Sequence, residues 1–262
     1  MKVVAINGSP RAQASSTHSI LAPLLDGMHS EGAETVLIHV GELELKSCLG
    51  CFHCWTQTPG ECVHVDGMKD AIEAYRGADL VVYGTPLYHG SMSGLLKTFL
   101  DRLLPQYEPW LIPSPHVEGM TGHPRRWIGP RRMLLVSACG FPEFENFDAL
   151  VFTFRHMAKL HGQEYVGEIL RPFAEPLSRR ALRGLFAAYR EVVHRAGQEV
   201  VRAGTISEET RGALRRDLLP GDRQAKYEMA NAYWTQRMGS GRDNRLRAQA
   251  QEGGRDPGPA AS

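Results

Sequence analysis

The stretch Asp79-Leu80-Val81-Val82-Tyr83-Gly84-Thr85-Pro86-Leu87-Tyr88-His89-Gly90-Ser91-Met92-Ser93-Gly94-Leu95-Leu96-Lys97 changes character twice. It opens as an unbroken apolar run, which is what a strand covered on both faces requires. Gly84, Pro86 and Gly90 then interrupt it, and these residues mark a turn. Beyond the turn, Met92, Leu95, Leu96, Phe99, Leu100 and Leu103 recur at intervals that place them on one stripe of a helix. A buried strand running through a Gly-Pro loop into an amphipathic helix is half of a βαβ unit, so the search outward is for more of the same.

Four further runs fit as strands: Lys2 to Asn7, Thr35 to Val40, Met133 to Ala138 and Glu164 to Ile169. Helical stripes separate them. Asp66 is placed to cap a helix that buries Met68, Ile72 and Tyr75; Phe147, Leu150, Val151 and Phe154 begin another; Leu182, Leu185, Phe186, Tyr189, Val192, Val193 and Ala196 form a third. The expected fold class is α/β, a flavodoxin-like, doubly wound, five-stranded parallel sheet with helices on both faces. In such a sheet ligands sit beyond the carboxyl ends of the strands, at the switch point.

Residues 1–204 are therefore expected to form the sheet domain. The proline-rich segment 105–130, with Trp110, Trp127, His116 and His123, reads as an insertion without regular structure. Two helices predicted after Gly204, one from Ser207 and one from Asp222, make a C-terminal arm over 205–238. The Gly-, Arg- and Pro-rich end, 239–262, is expected to be disordered.

Composition narrows the function classes. The chain has 262 residues, 42% hydrophobic and 23% charged, with a formal net charge of +1. That balance is ordinary for a globular protein and gives no electrostatic case for nucleic acid or an anionic membrane. No apolar run approaches the roughly 18 residues of a membrane span. Met1-Lys2 leads directly into Val3-Val4-Ala5-Ile6 with no small-residue cleavage site, so a cytoplasmic location is expected.

Two loops carry binding chemistry. The first strand runs into Asn7-Gly8-Ser9-Pro10-Arg11-Ala12-Gln13-Ala14-Ser15-Ser16-Thr17. Hydroxyls and an arginine at the start of a helix, whose first N–H groups lack partners, suit a phosphate. The Walker ending and the G-x-G-x-x-G spacing are absent, which favours a monophosphate; an ordinary capped loop explains the hydroxyls equally well. Pro23 predicts either a helix start near Ser19 or a kink, because an interior proline costs about 3 kcal/mol. The second loop sets the flat face of Tyr88 beside Pro86, with Gly90 and Gly94 permitting close approach to the backbone.

The cysteines form the third feature. Cys48, Cys51, Cys54 and Cys62 are spaced C-x2-C-x2-C-x7-C, and Pro59-Gly60 is a turn able to bring Cys62 back toward the others. Such overlapping spacing suits one compact [4Fe-4S] cluster. Zinc, and a metal-free cap or dimer contact, remain as alternatives, whereas a disulfide framework is disfavoured for a cytoplasmic α/β chain. Cys139 stands apart as a small buried hydrophobe.

Ser9-Pro10-Arg11 with Ser15-Ser16-Thr17, and Pro86-Leu87-Tyr88 through Gly94 with Lys97, Phe99, Asp101 and Arg102, resemble the NADPH-dependent FMN reductase superfamily of flavodoxin-like proteins. With the cysteine loop, the chain is most similar to its iron-sulfur flavoprotein group, over roughly residues 1–200. The resemblance implies FMN with its phosphate over Ser9, Arg11, Ser15, Ser16 and Thr17. It also implies that the ring lies against Pro86, Leu87, Tyr88, His89, Gly90, Ser91 and Met92, with Cys139, Gly140 and Phe141 closing over it.

The implied activity is hydride transfer from NAD(P)H to FMN and onward to a flavin, quinone or other small-molecule or protein acceptor. No side-chain acid or base is required, and a backbone N–H from the Gly90 to Met92 turn would face the ring. A homodimer is implied as well. Two departures are visible: Ser15-Ser16-Thr17 stands where Gly-Asn-Thr is frequent, and Asp66-Gly67-Met68 where Asp-Asp-Met is frequent. An electron carrier or sensor without nicotinamide turnover, and a non-redox interaction protein on the same scaffold, are the competing functions.

Overall fold

The apolar runs do become strands buried on both sides. In the computed structural model, which describes residues 1–179, 182, 184–219 and 221–238, the elements run β1 Lys2–Asn7, α1 Ser16–Ser30, β2 Glu34–His39, α2 His53–Thr56, α3 Met68–Arg76, β3 Leu80–Pro86, α4 Gly94–Asp101, β4 Ile112–Pro113, β5 Thr121–Gly122, β6 Arg132–Ala138, α5 Asp148–Leu160, β7 Glu164–Arg171, α6 Ala187–Ala203, α7 Glu208–Leu214 and α8 Arg223–Met238. Five parallel strands pair in the order β2-β1-β3-β6-β7. With the two dipeptide strands set aside, this is the flavodoxin-like order, and the expected α/β fold is present.

Alternation along the strands sorts the two faces. Val4, Ile6, Val81, Tyr83, Met133 and Leu135 pack with Met68, Tyr75, Leu96, Phe99, Leu150 and Phe154 from α3, α4 and α5. Opposite them, α1 and α6 cover the other face, so close to one another that a Cβ on Gly27 would strike the His194 carbonyl and one on Gly197 the Leu24 carbonyl. Fully burying each Leu, Ile or Phe in these layers contributes about 1.5–3 kcal/mol, which is what holds the strand ends in register.

Local expectations were met unevenly. The α1 helix starts at Ser16, directly after its Ser15 cap, and continues through Pro23, so the later start at Ser19 is not seen. Burial of Ile20, Leu21, Leu24 and Leu25 on one side outweighs the single backbone bond the proline cannot make. The helix expected from Leu182 begins only at Ala187: Leu185 is exposed and Phe186 is the buried residue at its start. The 105–130 insertion is not wholly irregular. It is an antiparallel excursion in which β4 pairs with β5, Tyr107 bridges Arg125, and Glu108 N–H donates to the Pro124 carbonyl at 2.9 Å.

Two compact units are distinguished, Met1–Leu218 and Leu219–Ser262. The boundary falls later than the expected 204, because α7 belongs with the sheet. Glu199 on α6 accepts from the Ser207 N–H and from the Ser207 and Thr210 hydroxyls, while buried Arg171 on β7 donates to the Leu214 and Arg216 carbonyls at the end of α7. In the second unit, Asp222 caps α8 by accepting from the Ala225 N–H at 2.9 Å. The expected disordered tail, 239–262, lies outside the described residues. No helix among the described residues is long and apolar enough to cross a membrane.

Candidate cofactor site

The carboxyl ends of β1, β3 and β6 deliver three loops to one place. The first is tied down by its own side chains. Asn7 Oδ1 accepts from the Ser9 N–H at 3.0 Å, and Asn7 Nδ2 donates to the Ala12 carbonyl at 3.2 Å. Ser15 accepts from the His18 N–H at 3.0 Å and donates to the Ala12 carbonyl at 2.7 Å, so its hydroxyl is committed to capping α1. Ser16 and Thr17 are nearly as buried, yet their hydroxyls have no hydrogen-bond partner among the described residues.

The second loop leaves β3 through Pro86. Tyr88 and Ser91 exchange backbone hydrogen bonds of 2.9 Å across His89 and Gly90, both of which have positive φ (49° and 72°). That is a tight turn of the primed kind, natural for glycine and strained for histidine. Of the N–H groups in the Gly90 to Met92 turn, one of which was expected to face the ring, that of Ser91 is taken by the Tyr88 carbonyl. Ser93 caps α4 through the Leu96 N–H at 3.2 Å and donates to the Gly8 carbonyl at 2.6 Å, which locks this loop to the first. In the third loop, Cys139 N–H donates to the Arg171 carbonyl at 3.1 Å and Ala174 N–H to the Cys139 carbonyl at 2.8 Å. Burial pushes the Cys139 thiol up to about 11, so it is no thiolate at neutral pH.

Between the loops lies a cavity of about 220 Å3. Ser9, Arg11, Ser16 and Thr17 line one side; Pro86, Leu87 and Tyr88 another; Ala138, Cys139 and Gly140 a third; Ala174 and Glu175 close it. Ser15, His89, Gly90, Ser91, Met92 and Phe141, expected at the site, are not among its lining residues, although Phe141 stands exposed on the same loop as Gly140. Sequence reading missed Glu175, whose carboxylate is 3.7 Å from the Arg11 guanidinium. Only the strand order could have signalled it, since the loop after the last strand must also emerge at the carboxyl edge.

The cysteine loop lies elsewhere. Arg102, which follows α4 and is 1% exposed, donates to the Lys46 carbonyl at 2.6 Å and to both Asp66 oxygens at 2.8 and 3.0 Å. It therefore grips both ends of the loop at once. Burial disfavours the Asp66 charge, but the Arg102 fork and the Lys46 and Met68 N–H groups overcome that and hold its pKa down to about 2. The Cys62 thiol interacts with the same guanidinium. Burial raises the Cys54 pKa, and proximity to Cys62, Cys48 and Cys51 raises it further, so the four thiols share one neighbourhood.

None of the four lines the carboxyl-edge cavity, whereas Trp55 walls a pocket formed by residues that precede β6 and β7, at the opposite edge. Within a single chain the cysteine loop therefore stands apart from the cavity that the loops after β1, β3 and β6 enclose. The physical reason is Arg102: it fixes the loop beyond the far end of α4. Among the described residues no group of three or more His, Cys, Asp or Glu is arranged to hold a metal ion. The thiols are suitable iron ligands by chemistry but are not gathered into a cage.

Residues 1–111 match the NADPH-dependent FMN reductase family. This is the family the two cofactor loops resemble. An iron-sulfur flavoprotein of Methanocaldococcus jannaschii is 39% identical over 102 residues, covering 39% of this chain and 50% of that protein. One from Archaeoglobus fulgidus is 35% identical over 102 residues, covering 39% and 48%. The chain spans about half the length of these curated relatives. Among solved structures, an FMN-dependent NADH-azoreductase from Bacillus anthracis in complex with FMN superposes with a TM-score of 0.53 at 15% identity, covering 77% of this chain and 100% of that one. At that identity the likeness concerns the fold alone, and it agrees with the flavodoxin-like sheet order.

Proposed function

We propose that this chain is an FMN-dependent oxidoreductase that takes hydride from NAD(P)H and delivers electrons to a flavin, quinone or similar acceptor. The observation that carries this is the convergence of Arg11, Ser16 and Thr17 with Pro86 to Tyr88 and Cys139-Gly140 on one cavity. Unpartnered hydroxyls beside a guanidinium at the start of a fifteen-residue helix make an anion site. Pro86, Leu87 and Tyr88 offer a stiff apolar wall to a flat ring.

FMN, when bound, supplies the hydride and electron chemistry; the protein's part is to bind, orient and shield. Arg11 and the hydroxyls would hold the phosphate, and the His89-Gly90 turn keeps the Pro86–Tyr88 wall rigid. A volume of about 220 Å3 is below the roughly 300 Å3 of a typical ligand pocket, so it encloses part of such a cofactor. Exposed Tyr88 and Phe141 stand ready to be covered, which supports a homodimer as the working assembly.

The test is reconstitution with FMN followed by anaerobic NADH and NADPH oxidation with a quinone acceptor. Bound flavin with no turnover would leave an electron carrier, and absence of binding would defeat the reading. The iron-sulfur naming of the relatives, and four thiols in one neighbourhood, favour a cluster at Cys48, Cys51, Cys54 and Cys62 as an addition. Anaerobic purification with iron and sulfide assays decides it.

A further inference from the structure

A second concavity serves neither cofactor loop. It measures about 750 Å3 and lies at the amino-terminal edge of the sheet, between the 105–130 excursion, Trp55 of the cysteine loop and the turns that enter β6 and β7. Its volume is that of a small-molecule pocket, and its walls are chiefly apolar and aromatic, with Trp55, Tyr107 and Ile128 among them.

Its polar groups are one-sided. No carboxylate lines it, whereas Arg125 and Arg131 both do. Arg125 has no carboxylate within ion-pair distance among the described residues; its guanidinium donates to the His161 carbonyl at 2.5 Å and lies 6.0 Å from the Tyr107 ring centroid. Burial, reinforced by Arg125 and His116, drives the His161 pKa down to about 4, so that imidazole is neutral at physiological pH. A guanidinium facing an apolar chamber without a counterion is poised for a ligand anion.

The walls are also built rather than incidental. Gly162 has φ +59°, and a Cβ there would lie 2.3 Å from the His116 ring, so the excursion packs directly on the turn before β7. Trp55 packs against both Phe52 and His123 (ring centroids 5.0 Å in each case), and its Nε1–H donates to the Leu104 carbonyl at 3.2 Å.

We propose that this amino-edge pocket is a second ligand site, taking a planar aromatic molecule that carries an anionic oxygen, with the oxygen on Arg125 and the ring among Trp55, Tyr107 and Ile128.

Isothermal titration of the full chain with 2-naphthoate, with and without saturating FMN, tests it, with neutral 2-naphthamide in parallel. The expected result is one naphthoate site per chain, unaffected by FMN, with the amide at least about tenfold weaker for want of the charge-assisted bond. Arg125→Gln should weaken naphthoate by a similar factor. Because Arg125 also supports the His161 carbonyl, Ile128→Trp at the exposed mouth is the companion variant, and it should abolish the binding heat while the thermal midpoint is retained. Equal affinity for acid and amide, competition by FMN, or wild-type affinity in Ile128→Trp would overturn the proposal. Since naphthoate binding needs no flavin, a failure to bind FMN would strike the proposed oxidoreductase without touching this site.

Discussion

The Ser93 hydroxyl donates to the Gly8 carbonyl at 2.6 Å, joining residues 85 positions apart in the chain. The same oxygen caps α4, and the Ser93 N–H donates to Thr85 Oγ1 at 2.9 Å. One buried serine thus couples the loop after β1 to the loop after β3, and with them the two halves of the cavity. Replacing it with alanine removes a cap worth about 1 kcal/mol and leaves a buried carbonyl without its donor, a further 1–3 kcal/mol. Ser93→Ala is expected to lower stability by about 2–4 kcal/mol in urea unfolding and to weaken FMN binding.

Arg11 and Glu175 make a different contribution. Both side chains are substantially exposed, so their ion pair contributes less than about 1 kcal/mol to stability. In the cavity, however, the carboxylate competes with any phosphate for the arginine. Glu175→Gln is expected to tighten FMN binding several-fold and Arg11→Gln to weaken it about tenfold, neither shifting the unfolding midpoint much. Flavin fluorescence quenching measures both; unchanged affinity in Arg11→Gln would count against the phosphate assignment.

Acid should loosen the cysteine loop. The Asp66 pKa is depressed from 3.8 to about 2, so its contribution is complete above about pH 4 and disappears as pH falls through 2. A shift of that size corresponds to about 2 kcal/mol. Removing one partner of the buried pair costs more, about 3–5 kcal/mol, because the other charge is stranded. Asp66→Asn is therefore expected to destabilise the protein at pH 7 and to speed the reaction of Cys51 and Cys62 with a thiol reagent. An unchanged rate would show that Arg102 does not hold the loop.

His161 titrates in a separate window. Its folded pKa is about 4, against an ordinary 6.5, so the unfolded chain binds the proton more readily between those values. Stability is expected to fall by about 3 kcal/mol as pH drops from 6.5 to 4, with no further loss from this group below that. His161→Gln should flatten that slope, which urea midpoints at pH 7 and pH 4.5 would reveal.

The strand positions and the flavodoxin-like order were legible because their causes are local. An apolar run such as Leu80 to Tyr83 has few ways to satisfy both its faces, and the hydroxyls before Ile20 announce a helix start. Helix onset was less legible where apolar spacing continued without burial, as at Leu185. Ser15 shows a similar limit. Its residue type suits a phosphate and a cap equally, and only the bond from the His18 N–H shows that capping has taken the hydroxyl.

By itself the sequence determined which segments would be strands and that the loops after β1, β3 and β6 would meet at one edge, because side-chain period and right-handed crossovers leave little freedom. Tertiary structure alone decided that Glu175 enters the cavity, that Arg102 carries the cysteine loop away from it, and that Arg125 faces an aromatic chamber at the other edge. Each of these depends on side chains reaching between segments tens of residues apart, and no local pattern encodes such distances.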